Sequence, residues 1–420
     1  MKQFIKMIFM AALGSILEWY DFSIFAYLAP VIAILFFPHE NKFSGIIATY
    51  AVFAVGFFAR PLGAIIFGHF GDRIGRNKTL VWTISLISIT TTLIGFLPTY
   101  SEIGIAAPIL LTILRILQGF SIGGETTGSA SFVLEHIENK KRGFAGAFLT
   151  MAIGCGVLAA SFLVTLSYNY FNHADLIAWG WRIPFLLGIP TGIIGYYVRK
   201  KFPESQLFQT AHSNGQLEKF PVKTAFLYYK KPIFQLTSLY ALSAVITYLI
   251  FIFMPVYVGT VTHLPLVLTT QVTTIGMGFV TFLILITGYL SDYIGRKFFL
   301  LIGALGFLIS SYPLFSLIIR GSLIYFIIAE ICFVILATCY QSILTATAQE
   351  LVVTPVRYTV TALGYHFGFS IFGGTAPLIA TYAVHFTGNK AIPGLYLTVI
   401  AGIALIAVIQ LAETSHRKLI

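Results

Sequence analysis

Residues 68–78 read GHFGDRIGRNK and residues 288–297 read GYLSDYIGRK. The two stretches align as Gly68 with Gly288, Asp72 with Asp292, Gly75 with Gly295 and Arg76 with Arg296, 220 residues apart. Each follows the second long apolar run of its half of the chain. A motif that returns at the same place in two halves marks an internal repeat, a pattern of folds that rock one half against the other. Within each copy the glycines permit a tight turn and close approach of two backbones. The aspartate stands where a carboxylate can meet a helix N-terminus and the basic side chains of neighbouring helices.

What flanks the repeat has the composition of membrane spans. Of 420 residues, 57% are hydrophobic and 10% charged, whereas soluble domains carry about 25% charged residues. Charges and Pro/Gly breaks place helices near 8–37, 44–70, 79–97, 107–134, 143–170 and 183–199, then near 233–257, 266–290, 298–316, 322–349, 357–386 and 393–412. Each approaches or exceeds the ~20 residues that cross a hydrocarbon core. The first segment has the Lys2 and Lys6 start of a signal peptide, but its apolar pattern resumes after Asp21 and runs to Phe37, so we read an uncleaved helix. The fold expected is an all-α membrane protein, twelve transmembrane helices in two pseudo-symmetric six-helix bundles. Its parts are an N-terminal bundle over 1–200, a basic cytoplasmic linker over 201–232 and a C-terminal bundle over 233–420.

The net charge of +11 is sorted by side rather than gathered in a patch. With the N-terminus inside, twenty of the 26 Lys and Arg fall in inside segments. Lys42, Arg320 and Lys390 fall in outside loops, Arg182 at an outer helix end, and Arg60 and Arg115 within helices. This bias predicts two cytoplasmic termini, and taken with the family likeness given below it points to a bacterial inner membrane. The partners expected are membrane lipid and a small-molecule substrate, with no nucleic acid, for a chain working as a monomer. Cys155, Cys332 and Cys339 lie in apolar helices without metal or Cys-x-x-Cys spacing and read as packing residues. No Walker motif appears, and no nucleophile, base and orienter can be assembled from the short loops, so neither ATP use nor an enzyme is expected.

The pattern G-x-x-x-D-R-x-G-R of residues 68–76 resembles the cytoplasmic loop signature of the major facilitator superfamily. EWYDF at 18–22, ARPLG at 59–63, RILQGFSIGGE at 115–125 and GWRIPF at 180–185 are similar to its metabolite:proton symporter branch. MPVY at 254–257 and VRYT at 356–359 extend the likeness into the second half, toward proline/betaine transporters; α-ketoglutarate carriers belong to the same branch. The resemblance implies a secondary active transporter that takes up a small zwitterion or organic acid with a proton by alternating access, with no cofactor beyond that coupling ion. A uniporter, an antiporter or a non-transporting solute sensor on the same fold are the alternatives.

Charges within the spans point to the working residues, because each costs about 2.5–3.5 kcal/mol on insertion scales unless paired or hydrated. Glu18 and Asp21 are three apart and share a helix face. Arg60 precedes Asp72 by twelve residues, roughly 18 Å of helix. We expect Asp21, Glu18, Arg115 and Glu125 in proton coupling, since burial favours a neutral carboxyl and a nearby arginine its charged form. Arg60, Trp19, Tyr20, Gln118, Tyr248 and Tyr365 are the expected substrate ligands; aromatic faces attract a quaternary ammonium. The expected cytoplasmic gate comprises Gly68, Asp72, Arg73, Gly75 and Arg76, the second copy Asp292, Gly295 and Arg296, and the charged turn residues Glu135 and Arg142. Glu135 and Arg142 are expected to meet Arg73 or Arg76. Gly119 with Gly123, and Gly364 with Gly368, have the small-xxx-small spacing of close helix contacts.

Overall fold

In lipid no water satisfies the backbone, so an apolar chain of this length must bond its peptide groups within helices. The computed structural model describes residues 2–37, 42–74, 76–123, 125–135, 137–200, 221–353 and 356–415. Of their side chains, those of 2–11, 42, 43, 68, 69, 71–74, 76–78, 125, 132, 139, 198, 199 and 221 lie outside the description. Every regular element among the described residues is helical, and eleven helices are long and apolar enough to span a membrane. A bent pair makes twelve if it counts as one span.

That pair is α1 (Lys2–Tyr27) and α2 (Ala29–Phe36), which meet at 61°. The single helix expected over 8–37 is therefore two. Pro30 is the cause: it lies in the first turn of α2, has no amide to continue the ladder of α1, and its fixed φ suits the start of a new helix.

Next come α3 (Lys42–Ile74), α4 (Arg76–Phe96), α5 (Ala106–Ile122), α6 (Glu125–Glu135), α7 (Arg142–Tyr170) and α8 (Gly188–Lys200). The second set is α9 (Lys230–Val245), α10 (Met254–Thr262), α11 (Leu266–Ile294), α12 (Arg296–Ile318), α13 (Leu323–Gln341), α14 (Leu344–Glu350), α15 (Arg357–Phe367), α16 (Ala376–Thr387) and α17 (Ile392–Gln410). Wide π-helical turns at Ile246–Phe253 and Gly368–Gly373 join α9 to α10 and carry the chain from α15 toward α16. Many hydroxyls inside the spans bond back along their own helices, as Thr90 does to the Leu86 and Ile87 carbonyls.

The chain forms two compact units. One comprises Met1–Phe132 and Cys155–Phe226, the other Val133–Gly154 and Leu227–Ile420. The segment Val133–Gly154 precedes the linker in sequence yet belongs with the second unit. The linker residues 201–220 lie outside the described residues.

Glycines set the closest contacts in each unit. In the first, α3 and α5 touch backbone to backbone: a Cβ on Gly119 would collide with the Gly56 carbonyl, and one on Gly63 with the Phe120 carbonyl. In the second, Gly364, Gly368 and Gly373 lie along α9, where added Cβ atoms would meet Leu236, Tyr240 and Ala244. Without side chains in the way, long stretches of helix gain van der Waals contact that lipid cannot supply.

Candidate functional site

The α3–α5 contact places two arginines side by side in register. Gly56 packs on the main chain of Arg115, and Gly123 on the main chain of Arg60, so both guanidiniums project from one seam. Both side chains are buried, at 1% exposure for Arg60 and 0% for Arg115. They approach the ring of Phe22 on α1, with guanidinium carbons 4.1 Å and 4.3 Å from its centroid. Arg60 also lies 4.0 Å from Phe57 and 5.8 Å from Trp19, and Arg115 lies 4.3 Å from Phe25 and 5.4 Å from Phe53.

The two cations differ in what else they touch. Arg115 donates through Nη1 to Gln118 Oε1. Gln118 Nε2 in turn donates to Thr91 Oγ1 at 2.7 Å and to the main-chain carbonyl of Asp21 at 3.3 Å. Arg60 has no hydrogen bond from Nε or Nη1 and no carboxylate within ion-pair distance among the described residues. A cation–π contact contributes about 2 kcal/mol when desolvated, while the effective penalty for burying one ion is several kcal/mol. Three such faces reach the scale of that penalty but leave the charge and its free donors unpaired; an anion would pair them.

The nearby carboxylates are held separately. Glu18 accepts from Thr126 Oγ1 on α6 at 3.0 and 3.1 Å. Asp21 is 1% exposed, and its Oδ1 has no hydrogen-bond partner among the described residues. Neither is paired with Arg60 in this conformation. The Glu125 side chain lies outside the description. Tyr20 is turned away from this group, its hydroxyl donating to the Pro184 carbonyl at 3.0 Å.

Tyr248 and Tyr365 belong to the second unit, at its wide turns. Tyr365 stacks on Phe369 at 4.4 Å and meets Tyr240 edge-on at 4.9 Å; Tyr248 lies 6.3 Å from Phe369. The buried His366 sits against the Tyr365 ring at 5.0 Å. A further buried carboxyl, Glu330 on α13, is 3% exposed with no hydrogen-bond partner on either oxygen among the described residues. It faces Gly276 of α11, where a Cβ would stand 2.7 Å from Glu330 Oε1.

The second unit also carries an ionic cluster built on the repeat. Asp292, at the end of α11, accepts from the Gly143 and Phe144 amides at 2.8 and 3.0 Å, so a carboxylate caps the N-terminus of α7. Arg296 Nη2 donates to Asp292 at 2.7 Å and reaches Glu350 at 3.3 Å, while Nη1 donates to Ser291 at 2.7 Å. Glu135 pairs with Arg357 at 2.9 Å, and Arg142 lies buried near Glu350, Arg357 and Arg296. Gly143 must be glycine, since a Cβ there would stand 2.6 Å from the Gly288 carbonyl. The side chains of Asp72, Arg73 and Arg76, and the whole of Gly75, lie outside the described residues; Gly68 is described only as part of α3.

Sequence reasoning missed Phe22, Phe25, Phe53 and Phe57 as the bed of the arginines, although Phe57 and Arg60, three apart on one helix, carry the signal. It also missed Glu350 and Arg357, which only the fold brings to Arg296 and Glu135. Among the described residues no group of three His, Cys, Asp or Glu is placed to hold a metal ion.

The profile of the Major Facilitator Superfamily matches residues 11–377. The proline/betaine transporter of Escherichia coli (strain K12) is 34% identical over 427 residues, covering 99% of this chain and 84% of that one. A protein of Staphylococcus haemolyticus (strain JCSC1435) named for the same two solutes is 35% identical over 414 residues, 98% of this chain and 88% of the other. Among solved structures, the proton:xylose symporter XylE bound to 6-bromo-6-deoxy-D-glucose aligns with a TM-score of 0.83 at 16% identity, over 99% of this chain and 97% of that one. At that identity the structural likeness speaks for the fold.

Proposed function

The chain belongs to the major facilitator superfamily, and we propose that this multi-pass membrane transporter couples uptake of a small zwitterion or organic acid to the entry of a proton. The observation that carries the reading is Arg60: a buried guanidinium on aromatic faces, with donors to spare and no carboxylate beside it among the described residues. A solute carboxylate supplies the missing anion. Two donors on one edge of the fork match a carboxylate in a way a point charge does not. The relatives named for proline and betaine support a solute with such a group.

In this reading Arg60 binds the carboxylate and Phe22, Phe57 and Trp19 hold it in place. Asp21 carries the proton, one residue from the ring that both arginines share. Gln118 ties Arg115, which shares the Phe22 ring with Arg60, to the Asp21 main chain. The ionic cluster of Glu135, Arg142, Asp292, Arg296 and Arg357 serves as a latch at the inner end, released once per cycle as Val133–Gly154 leaves the second unit. The charge bias supports both termini on the cytoplasmic side, and the bacterial sources of the relatives support a bacterial inner membrane.

The test is uptake of labelled proline, glycine betaine, α-ketoglutarate and citrate into vesicles holding the purified protein, with and without an acidic exterior. Accumulation of one solute above its outside level only with the gradient is the expected result. Equilibration without accumulation would establish a uniporter, uptake driven by acid inside an antiporter, and saturable binding without uptake a sensor.

A further inference from the structure

The chain after α17 is tied into the ionic cluster of the second unit. Glu413 accepts from the Arg296 amide at 2.9 Å and the Lys297 amide at 3.0 Å, the opening amides of α12. Such amides have no partner within their own helix. Lys297 Nζ answers by donating to the Ile409 and Leu411 carbonyls at 2.9 and 2.7 Å, at the end of α17. Gly295 makes room for the contact: its φ is +114°, and an added Cβ would stand 2.7 Å from Glu413 Oε2. One residue on, the buried Thr414 donates to Glu350 Oε2 at 2.8 Å.

These bonds reach both members of one ion pair. Arg296 contacts Glu350 at 3.3 and 3.4 Å, long for charged partners, while Thr414 holds the same carboxylate at 2.8 Å. The arginine supplies the opposite charge, and the hydroxyl holds the Glu350 carboxylate at closer range. Glu413 fixes the main chain from which Arg296 extends. With both anchored, Arg296 keeps its short contact to Asp292, and Asp292 keeps the two amides of α7.

We infer that Glu413 and Thr414 are positioning residues of the latch, and that the tail segment Leu411–Ser415 sets how readily α7 is released. The inference rests on the latch reading given above. It requires that loosening the tail loosen α7, two contacts away, without loosening the unit as a whole.

The experiment uses the full chain in detergent with Cys155, Cys332 and Cys339 replaced by serine and one reporter added, Ala147→Cys. Ala147 is buried against Gly288 at the α7–α11 contact. A control reporter, Ala401→Cys, sits in the core of α17. Alkylation of each by N-ethylmaleimide is timed in the native tail, in Thr414→Val, in Glu413→Ala and in Asp292→Asn. Both tail variants should speed the Ala147→Cys reaction by about tenfold, the scale of one lost hydrogen bond, and leave the Ala401→Cys reaction unchanged. If Asp292→Asn speeds the reporter and the tail variants do not, the inference falls and the latch stands. An unchanged rate in Asp292→Asn overturns both. Equal acceleration of both reporters shows a loosened unit and also overturns the inference. Should Glu413→Ala fail to fold, Thr414→Val, which removes one hydroxyl, decides by the same criteria.

Discussion

Arg60 is held in an unusual way for an ion in a membrane span: three aromatic rings, and no anion among the described residues. If a solute carboxylate completes it, the geometry of the fork matters as well as the charge. Arg60→Lys keeps the charge but loses the paired donors, so affinity for a carboxylate solute should fall about tenfold, the scale of one charged hydrogen bond. Isothermal titration of the purified protein measures this, and an unchanged Kd would remove Arg60 from the site. Glu330 is the opposite case, a buried carboxyl with no donor among the described residues and a glycine opposite. An unsatisfied buried polar group costs about 1–3 kcal/mol in proteins, so Glu330→Met, of similar length and apolar, should raise the thermal midpoint; a lower midpoint would show that the carboxyl is satisfied. Both charges were visible as isolated letters in apolar runs. Their surroundings were not, because Phe22 and Gly276 come from other helices and no spacing along the chain relates them.

Between elements, the α3–α5 seam depends on the absence of Cβ atoms. Gly119→Ala would drive a methyl into the Gly56 carbonyl, and overpacking of this kind costs about 1–3 kcal/mol. Gly278→Ala, on α11 with nothing within 4 Å of the new atom, should instead be neutral or gain up to about 1 kcal/mol from helix propensity. Thermal midpoints moving in the same direction for both would refute the seam. The cap on α12 carries a pH dependence. Burial raises the pKa of Glu413, but the amides of Ser415, Arg296 and Lys297 outweigh it and leave the carboxyl below its ordinary 4.5. A group depressed in the fold stabilises it fully above the unfolded pKa and loses that contribution as pH falls through the folded value. The difference in midpoint between the native chain and Glu413→Ala should accordingly be constant near neutrality and close below about pH 4.5; a constant difference down to pH 3 would mean the carboxylate is not the cap. The spacing of Gly119 and Gly123 announces the seam, whereas the bend at Leu28 is concealed because Pro30 sits in an uninterrupted apolar run. Glu413 is equally silent, a single acid in a polar tail whose partners lie over a hundred residues away.

At the scale of the whole molecule, the sequence speaks through its repetition. Gly68, Asp72, Gly75 and Arg76 and their second copy announce two halves, and the apolar runs between them account for the spans. Repetition says nothing of how a segment is shared, and Val133–Gly154, numbered with the first half, is held by the second through Asp292, Arg357 and a contact between Thr150 and Thr345. Sharing of this kind has a mechanical consequence if transport proceeds by alternating access, because a segment common to both halves must be let go in part of every cycle. The hydroxyls of Thr150 and Thr345 lie 3.0 Å apart, close enough that a cysteine at each can form a disulfide after small side-chain adjustment. In a chain whose three native cysteines are replaced by serine, Thr150→Cys with Thr345→Cys should transport when reduced, stop when oxidised and recover with dithiothreitol, as read by labelled-solute uptake into vesicles. Each single cysteine should be indifferent to oxidant. Uptake that continues at the reduced rate through a fully formed disulfide would show that α7 never leaves the second unit, and the latch would then be a fixed brace.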